Sequence, residues 1–260
     1  MKMNTETIEI LHRASQYLAA FGISFVEKKA DDSHTNLNWN PHSLSLETRS
    51  VINDSGGAVQ LALDCKSFAL VGIDPIGESV LYMDHTKHRD VIEWLRNWSK
   101  ESGLTEVYDY RFHYELPYPA MADLYTWKQP SEAELQAYTE EMNRAKSQFS
   151  AILNNVGIES ELRVWPHHFD LGFFGKVPSH KTLSIGGGKA IPDSLSSDSY
   201  YYISGWYENG SAVNVERMPP LTKGTWGLGN FNGSILSIRH APEELLTFLQ
   251  QSTALLIQHR

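Results

Sequence analysis

Apolar residues recur along this chain with two periods, and each period keeps to its own stretches. At Ile8, Leu11, Ala14, Leu18 and Phe21 the spacing is three and four, which predicts an amphipathic helix ended by Gly22. A second helix is predicted from Ser131, where Ser131-Glu132-Ala133-Glu134 has the form of a capping box, to Val156 before Gly157. Shorter helical stretches run from Asp90 to Trp98 and onward from Pro242 through Leu245 and Leu249.

Between these helices the period falls to two. Strands are predicted at 60–64, 67–73 and 79–83, then at 162–174, 182–185, 200–206 and 234–238. Turns as short as Asp74-Pro75-Ile76-Gly77 separate them, which favours antiparallel pairing over helix-linked crossovers. The fold class is therefore α+β: two similar units, each an antiparallel β-sheet with flanking helices.

The two units read as a duplication. Leu18-Ala19-Ala20-Phe21-Gly22-Ile23 aligns with Leu153-Asn154-Asn155-Val156-Gly157-Ile158, and nearly the same offset sets His34-Thr35-Asn36-Leu37 on His168-Phe169-Asp170-Leu171. Leu44-Ser45-Leu46 then meets Leu183-Ser184-Ile185, and Val91 to Leu95 meets Leu245 to Leu249. Matches in constant order point to a repeated helix, strands, helix.

Tyr108 to Leu116 alternates aromatic or apolar residues with Asp109, Arg111, His113 and Glu115, so one strand with an aromatic buried face and an ionic face is predicted. Pro117 and Pro119 end it. The expected division is a first unit over residues 1–120, a linker over 121–130 and a second unit over 131–260.

Composition narrows the partners. A chain of 260 residues can bury roughly 70–75% of its unfolded surface. The net charge of −9, without a cluster of Lys and Arg, argues against nucleic acid or an anionic membrane as the main partner. Cys65 is alone, which excludes an internal disulfide, and its strand-like surroundings suit a buried thiol. The start of the chain lacks the apolar run of a signal peptide, so the expected place is cytoplasmic.

The most distinctive string is Trp165-Pro166-His167-His168-Phe169-Asp170. In an extended segment His168 and Asp170 share a face, which makes them the candidate catalytic pair. Three uses are open to such a pair: half of a divalent-metal site, an imidazole oriented by a carboxylate, or a structural hydrogen bond. His34 and Asn36 are the aligned residues of the first unit, with an amide in place of the carboxylate. His167, Tyr201, Trp206 and Trp226 are the candidate ligand-binding residues, because pockets combine aromatic walls with few polar groups. His85 and His88 read as solvated flanks of a helix start, as does His240. Gly186-Gly187-Gly188-Lys189 and Gly224 to Asn230 read as loops, since neither leads from a strand into a helix in phosphate-loop order.

Trp165 to Leu171, with Tyr200-Tyr201-Tyr202-Ile203-Ser204-Gly205-Trp206 after it, resembles a mostly bacterial family of uncharacterised proteins, a domain of unknown function marked by a Trp-Pro-His-His-Phe-Asp segment. The family continues with a Ser-Pro-Gly-Asp loop, a Tyr-Phe-Tyr-Val-Ser-Pro-Trp strand and a Gly-rich turn. Here Gly186 to Lys189 replaces the Ser-Pro-Gly-Asp loop, so no role of that loop's Asp carries over. The resemblance spans about residues 163–260 and implies kinship without a reaction. The expectation is a protein or enzyme that binds a small polar molecule at a His/Asp site in the second unit. The alternative is a non-catalytic interaction or scaffold protein.

Overall fold

The computed structural model describes residues 4–227, 231–240 and 242–258. The last part of the predicted Gly-rich loop, Leu228 to Asn230, lies outside them. The fold is α+β, with two similar units, each an antiparallel six-stranded sheet with flanking helices. Two compact bodies result: one runs to Glu140 and includes Val164–His168, and the other comprises Glu141–Arg163 and the chain from Phe169 onward. The division falls at Glu141, inside a helix and later than the expected 121–130.

The N-terminal body begins with α1 (Thr5–Phe25), whose cap is Asn4 accepting from the Glu6 N–H. Its middle is buried on all sides, His12, Ser15, Gln16 and Tyr17 included, so it is a core helix and not the one-faced helix that the apolar spacing predicts. Gly22 does not end it. There the backbone of His34 approaches so closely that a Cβ would lie 2.7 Å from its carbonyl oxygen, and the helix continues to Phe25.

Strands β1 (Asn38–Asn40), β2 (Ser45–Glu47), β3 (Val51–Ile52), β4 (Ala58–Asp64), β5 (Ala69–Asp74) and β6 (Gly77–Tyr82) follow, and then α2 (His88–Glu101). The sheet order is β1-β2-β4-β5-β6, with β3 paired to β4. Cys65 is buried just past β4, and burial pushes its thiol pKa well up.

Helix α3 (Glu132–Val156) starts on the predicted capping box: Ser131 Oγ donates to Glu134 at 2.7 Å, and the Glu134 N–H returns to Ser131 Oγ. Gly157, at φ +75°, takes the left-handed conformation past its end. The second sheet contains β7 (Arg163–Trp165), β8 (Asp170–Lys176), β9 (Leu183–Ala190), β10 (Tyr200–Tyr207), β11 (Thr225–Gly227) and β12 (Gly233–Ser237), in the order β11-β12-β10-β9-β8-β7. Helix α4 (Pro242–Gln258) closes the unit.

Each unit thus runs helix, antiparallel meander, helix, with β11 as an extra strand beside β12. Matching the meanders sets β1 and β2 against β7 and β8. The counterpart of Trp165 to Leu171 is therefore Asn40-Pro41-His42-Ser43-Leu44-Ser45-Leu46, not the stretch from His34. His34 lies before β1, in a single 3-10 turn (Ser33–Thr35). Likewise Leu183 opens β9, the third strand, whereas Leu46 lies in the second.

Gly186-Gly187-Gly188-Lys189 forms strand β9 and not a loop. Tyr202 is the cross-strand partner of Gly188, which in turn pairs with Gly172. A Cβ on Gly188 would lie 2.9 Å from the Tyr202 hydroxyl. The bare backbone lets the tyrosine lie over two strands and donate to Asp170 Oδ2 at 2.8 Å. Lys189, at 2% exposure, makes a buried ion pair with Glu141 at 3.1 Å.

Tyr108 to Leu116 forms no strand, and the chain bends at His113 and Tyr114. Its exposure alternates as predicted, with the aromatic side buried or half-buried and Arg111, His113 and Glu115 exposed. A helix, not a neighbouring strand, receives it: Tyr108 donates to the Tyr17 carbonyl, Tyr114 Oη to Gln16 Oε1 at 2.8 Å, and the Asp109 N–H to Ser24 Oγ. The expected linker is also part of this body. Backbone bonds tie Asp123, Tyr125 and Trp127 to the start of α2, and Trp127 is fully buried.

Candidate functional site

Four polar residues on α1, His12, Arg13, Gln16 and Tyr17, and the turn at Pro166 carry the site. The Pro166 carbonyl accepts from His12 Nε2 at 2.7 Å and from Gln16 Nε2 at 2.8 Å. A carbonyl only accepts, so the His12 proton sits on Nε2, leaving Nδ1 to face the Tyr118 hydroxyl at 3.3 Å. His12 is fully buried, and burial lowers its pKa to about 4, helped by the neighbouring His168, Arg13 and His167 and opposed by the Pro166 bond. His167, its ring 5.6 Å from that of Tyr114, is lowered to about 4 by burial and by His168.

A second chain of bonds runs from Trp127. Its Nε1 donates to the Tyr17 hydroxyl at 3.1 Å, which leaves the Tyr17 proton for His88 Nδ1 at 2.6 Å. Burial raises the Tyr17 pKa far above its ordinary value and lowers that of His88, so both are neutral. With Nδ1 accepting, the imidazole proton of His88 is on Nε2.

Beside these chains lies a cavity of about 540 Å³, lined by Arg13, His88 and residues of the segment after α2, among them Tyr110, Phe112, Tyr114, Glu115 and Tyr118. Arg13 stands over the Tyr118 ring at 4.7 Å and donates to Glu9 and to the Pro119 carbonyl. Burial raises the pKa of Tyr118 to about 12 and pushes Tyr110 and Tyr114 higher still, so every phenol is protonated. Among the described residues the wall holds no Ser, Thr, Cys or Lys. Its chemistry is hydrogen-bond donation between aromatic faces.

The residues singled out in the sequence are distributed differently. His168 is exposed in the turn after β7 and belongs to the N-terminal body, whereas Asp170 opens β8 in the C-terminal body. Phe169 between them has φ +55°, so strand alternation does not carry from one to the other. Tyr201 and Trp206, five apart on β10, point to opposite faces; Tyr201 is buried, and Trp206 donates to Ser204. Trp226 donates to the Pro219 carbonyl. Among the described residues no group of three or more His, Cys, Asp or Glu side chains is placed to hold a metal ion.

The sequence reading passed over Arg13, and it took His88 for a solvated flank although His88 is only 4% exposed. The available signal was the run His12, Arg13, Ser15, Gln16 inside an apolar helix, since polar residues on every face of a core helix need partners.

Among the described residues no helix is long and apolar enough to cross a membrane. No family model matches the chain, and no curated protein or solved structure matches it either.

Proposed function

We propose that this protein binds a small molecule in the aromatic cavity of its N-terminal body. The observation that carries the reading is the cavity itself: about 540 Å³, walled by Tyr110, Phe112, Tyr114 and Tyr118, with half-buried Arg13 and buried His88 as polar groups. Size and make-up match those of small-molecule sites. In this reading the Trp165 to Asp170 string acts through its backbone. The Pro166 carbonyl holds His12 and Gln16, Gln16 holds Tyr114, and Tyr114 is part of the wall.

Descent of the two bodies from one duplicated unit belongs to the same proposal, supported by the shared order of helices and strands. So do kinship with the family resembled by Trp165 to Leu171 and a cytoplasmic place, which the lone buried thiol of Cys65 suits.

The test is a screen of small aromatic compounds followed by NMR. Shifts concentrated on Tyr110, Phe112, Tyr114 and Tyr118 are expected. Binding that leaves those four resonances unmoved would overturn the reading.

A further inference from the structure

We infer that the cavity takes a small carboxylic acid with a flat, apolar body, its carboxylate held by Arg13, His88 and Tyr110; the inference rests on the cavity being a binding site. Three groups along the wall keep a proton to donate after the internal bonds are assigned. Arg13 spends Nε on Glu9 and Nη1 on the Pro119 carbonyl, so Nη2 keeps its protons for another acceptor. His88 spends Nδ1 on Tyr17, which leaves Nε2–H. Tyr110 has its ring against Tyr17, His88 and Phe112, while its hydroxyl has no hydrogen-bond partner among the described residues.

Arg13 and His88 can only donate here, and the Tyr110 hydroxyl can donate beside them. Neutral His88, with Nδ1 occupied, offers only a proton, and a guanidinium never accepts. A ligand group that meets them must be an acceptor with more than one lone-pair site, and a carboxylate also matches the fork and charge of Arg13. Glu9 does not cancel that charge inside the cavity. The Arg13 side chain is 11% exposed and that of Glu9 40%, so the carboxylate of Glu9 is the better screened by water. Glu115 lines the cavity too, but it is exposed and so sits toward solvent, where it disfavours a second negative charge on the ligand. One carboxylate on a flat body between the rings of Phe112, Tyr114 and Tyr118 fits this wall.

The Trp127–Tyr17–His88 relay fixes which nitrogen of His88 is the donor. If Tyr17 loses its hydroxyl, Nδ1 loses its partner and the proton is free to move there. Tyr17 is thus a positioning residue for a group that touches the ligand.

The experiment uses the full-length protein and three probes of one shape: benzoate, benzamide and benzylamine. Calorimetric titration should show benzoate binding about tenfold or more tightly than benzamide, with benzylamine weakest, since a hydrogen bond to a charged group is worth more than a neutral one. Arg13→Gln should bring the ratio of benzoate to benzamide affinity, both measured on that variant, down to about one, and Tyr17→Phe should change the imidazole nitrogen shifts of His88. Thermal melts of each variant identify any loss that comes from unfolding, and the probe series on the unaltered protein decides the matter if a variant does not fold. Equal affinity for benzoate and benzamide would overturn the carboxylate assignment and leave the cavity reading standing. Failure of all three to move the resonances of Tyr110 and Tyr118 at millimolar concentration would overturn both.

Discussion

The β1–β2 and β7–β8 connections are built alike and used differently. Each has four residues, Pro41-His42-Ser43-Leu44 in one and Pro166-His167-His168-Phe169 in the other, and each ends on a residue at φ +55°. The first is a surface turn. Pro41, His42 and Ser43 are exposed, and its polar groups are satisfied locally by Asn40, Ser45 and Glu47. In the second, Pro166 and Phe169 are buried, and the Pro166 carbonyl accepts from two side chains of a helix more than a hundred residues away in sequence. Local turn geometry is therefore independent of what the turn does. Its use follows from whether its carbonyls meet water or buried donors.

The sharpest break between the two turns should come at their left-handed residues. Phe169→Gly relieves about 1 kcal/mol of backbone strain but removes a ring that is 3% exposed, so a net loss of about 3–5 kcal/mol is expected. Leu44→Gly, at a half-buried site, should stay within about 1 kcal/mol. Chemical denaturation of the two variants compares them directly, and equal losses would show that both turns are buried to the same end.

A pH titration should give the next largest effect. His12 and His167 are neutral in the fold, with pKa values lowered to about 4, whereas unfolded imidazoles titrate near 6.5. Between those values the unfolded state binds more protons, so stability rises with pH there and is lost as pH falls from 6.5 toward 4. His12 alone, fully buried, contributes a loss on the order of 3 kcal/mol at the acid end. Urea midpoints measured from pH 7 down to pH 4 should fall for the parent and fall less for His12→Gln. Parallel curves would mean that folding leaves the pKa of His12 unshifted.

Gln16→Met should cost about 1–3 kcal/mol, because Pro166 loses one donor and the Tyr114 hydroxyl loses its acceptor. Part of that loss should return in the double variant with Tyr114→Phe, which a double-mutant cycle reads as coupling. Strict additivity would show that the two side chains do not act on each other. The smallest change is expected for His42→Ala, within about 0.5 kcal/mol, as for other exposed positions. A larger shift in its thermal midpoint would mean that the β1–β2 turn has a buried partner after all.

Beyond these turns, the interiors of the two bodies satisfy buried polar groups by different means. The N-terminal body uses neutral hydrogen bonds among His12, Gln16, Tyr17 and His88, whereas the C-terminal body buries the Lys189–Glu141 ion pair. Removing one partner from an ion pair strands a charge, so neutral networks tolerate single substitutions better.

Much of this protein is written in local pattern. The capping box at Ser131, the stop at Gly157, the antiparallel hairpins and the alternating exposure of Tyr108 to Glu115 all follow from interactions among residues close in sequence, and so does the α+β class. Tertiary structure alone decided the rest. A period of two cannot say whether an alternating segment meets a strand or a helix, and Tyr108 to Leu116 meets α1. Three consecutive glycines cannot say that they form a strand, or that Tyr202 of the neighbouring strand will lie over Gly188. The candidate site is the extreme case: Arg13, His88 and Tyr110 come from a helix, the start of another helix and the segment after it, and their free donors are defined only once their other hydrogen bonds are known. Those bonds depend on distance in space, which sequence spacing does not encode beyond a turn or a hairpin.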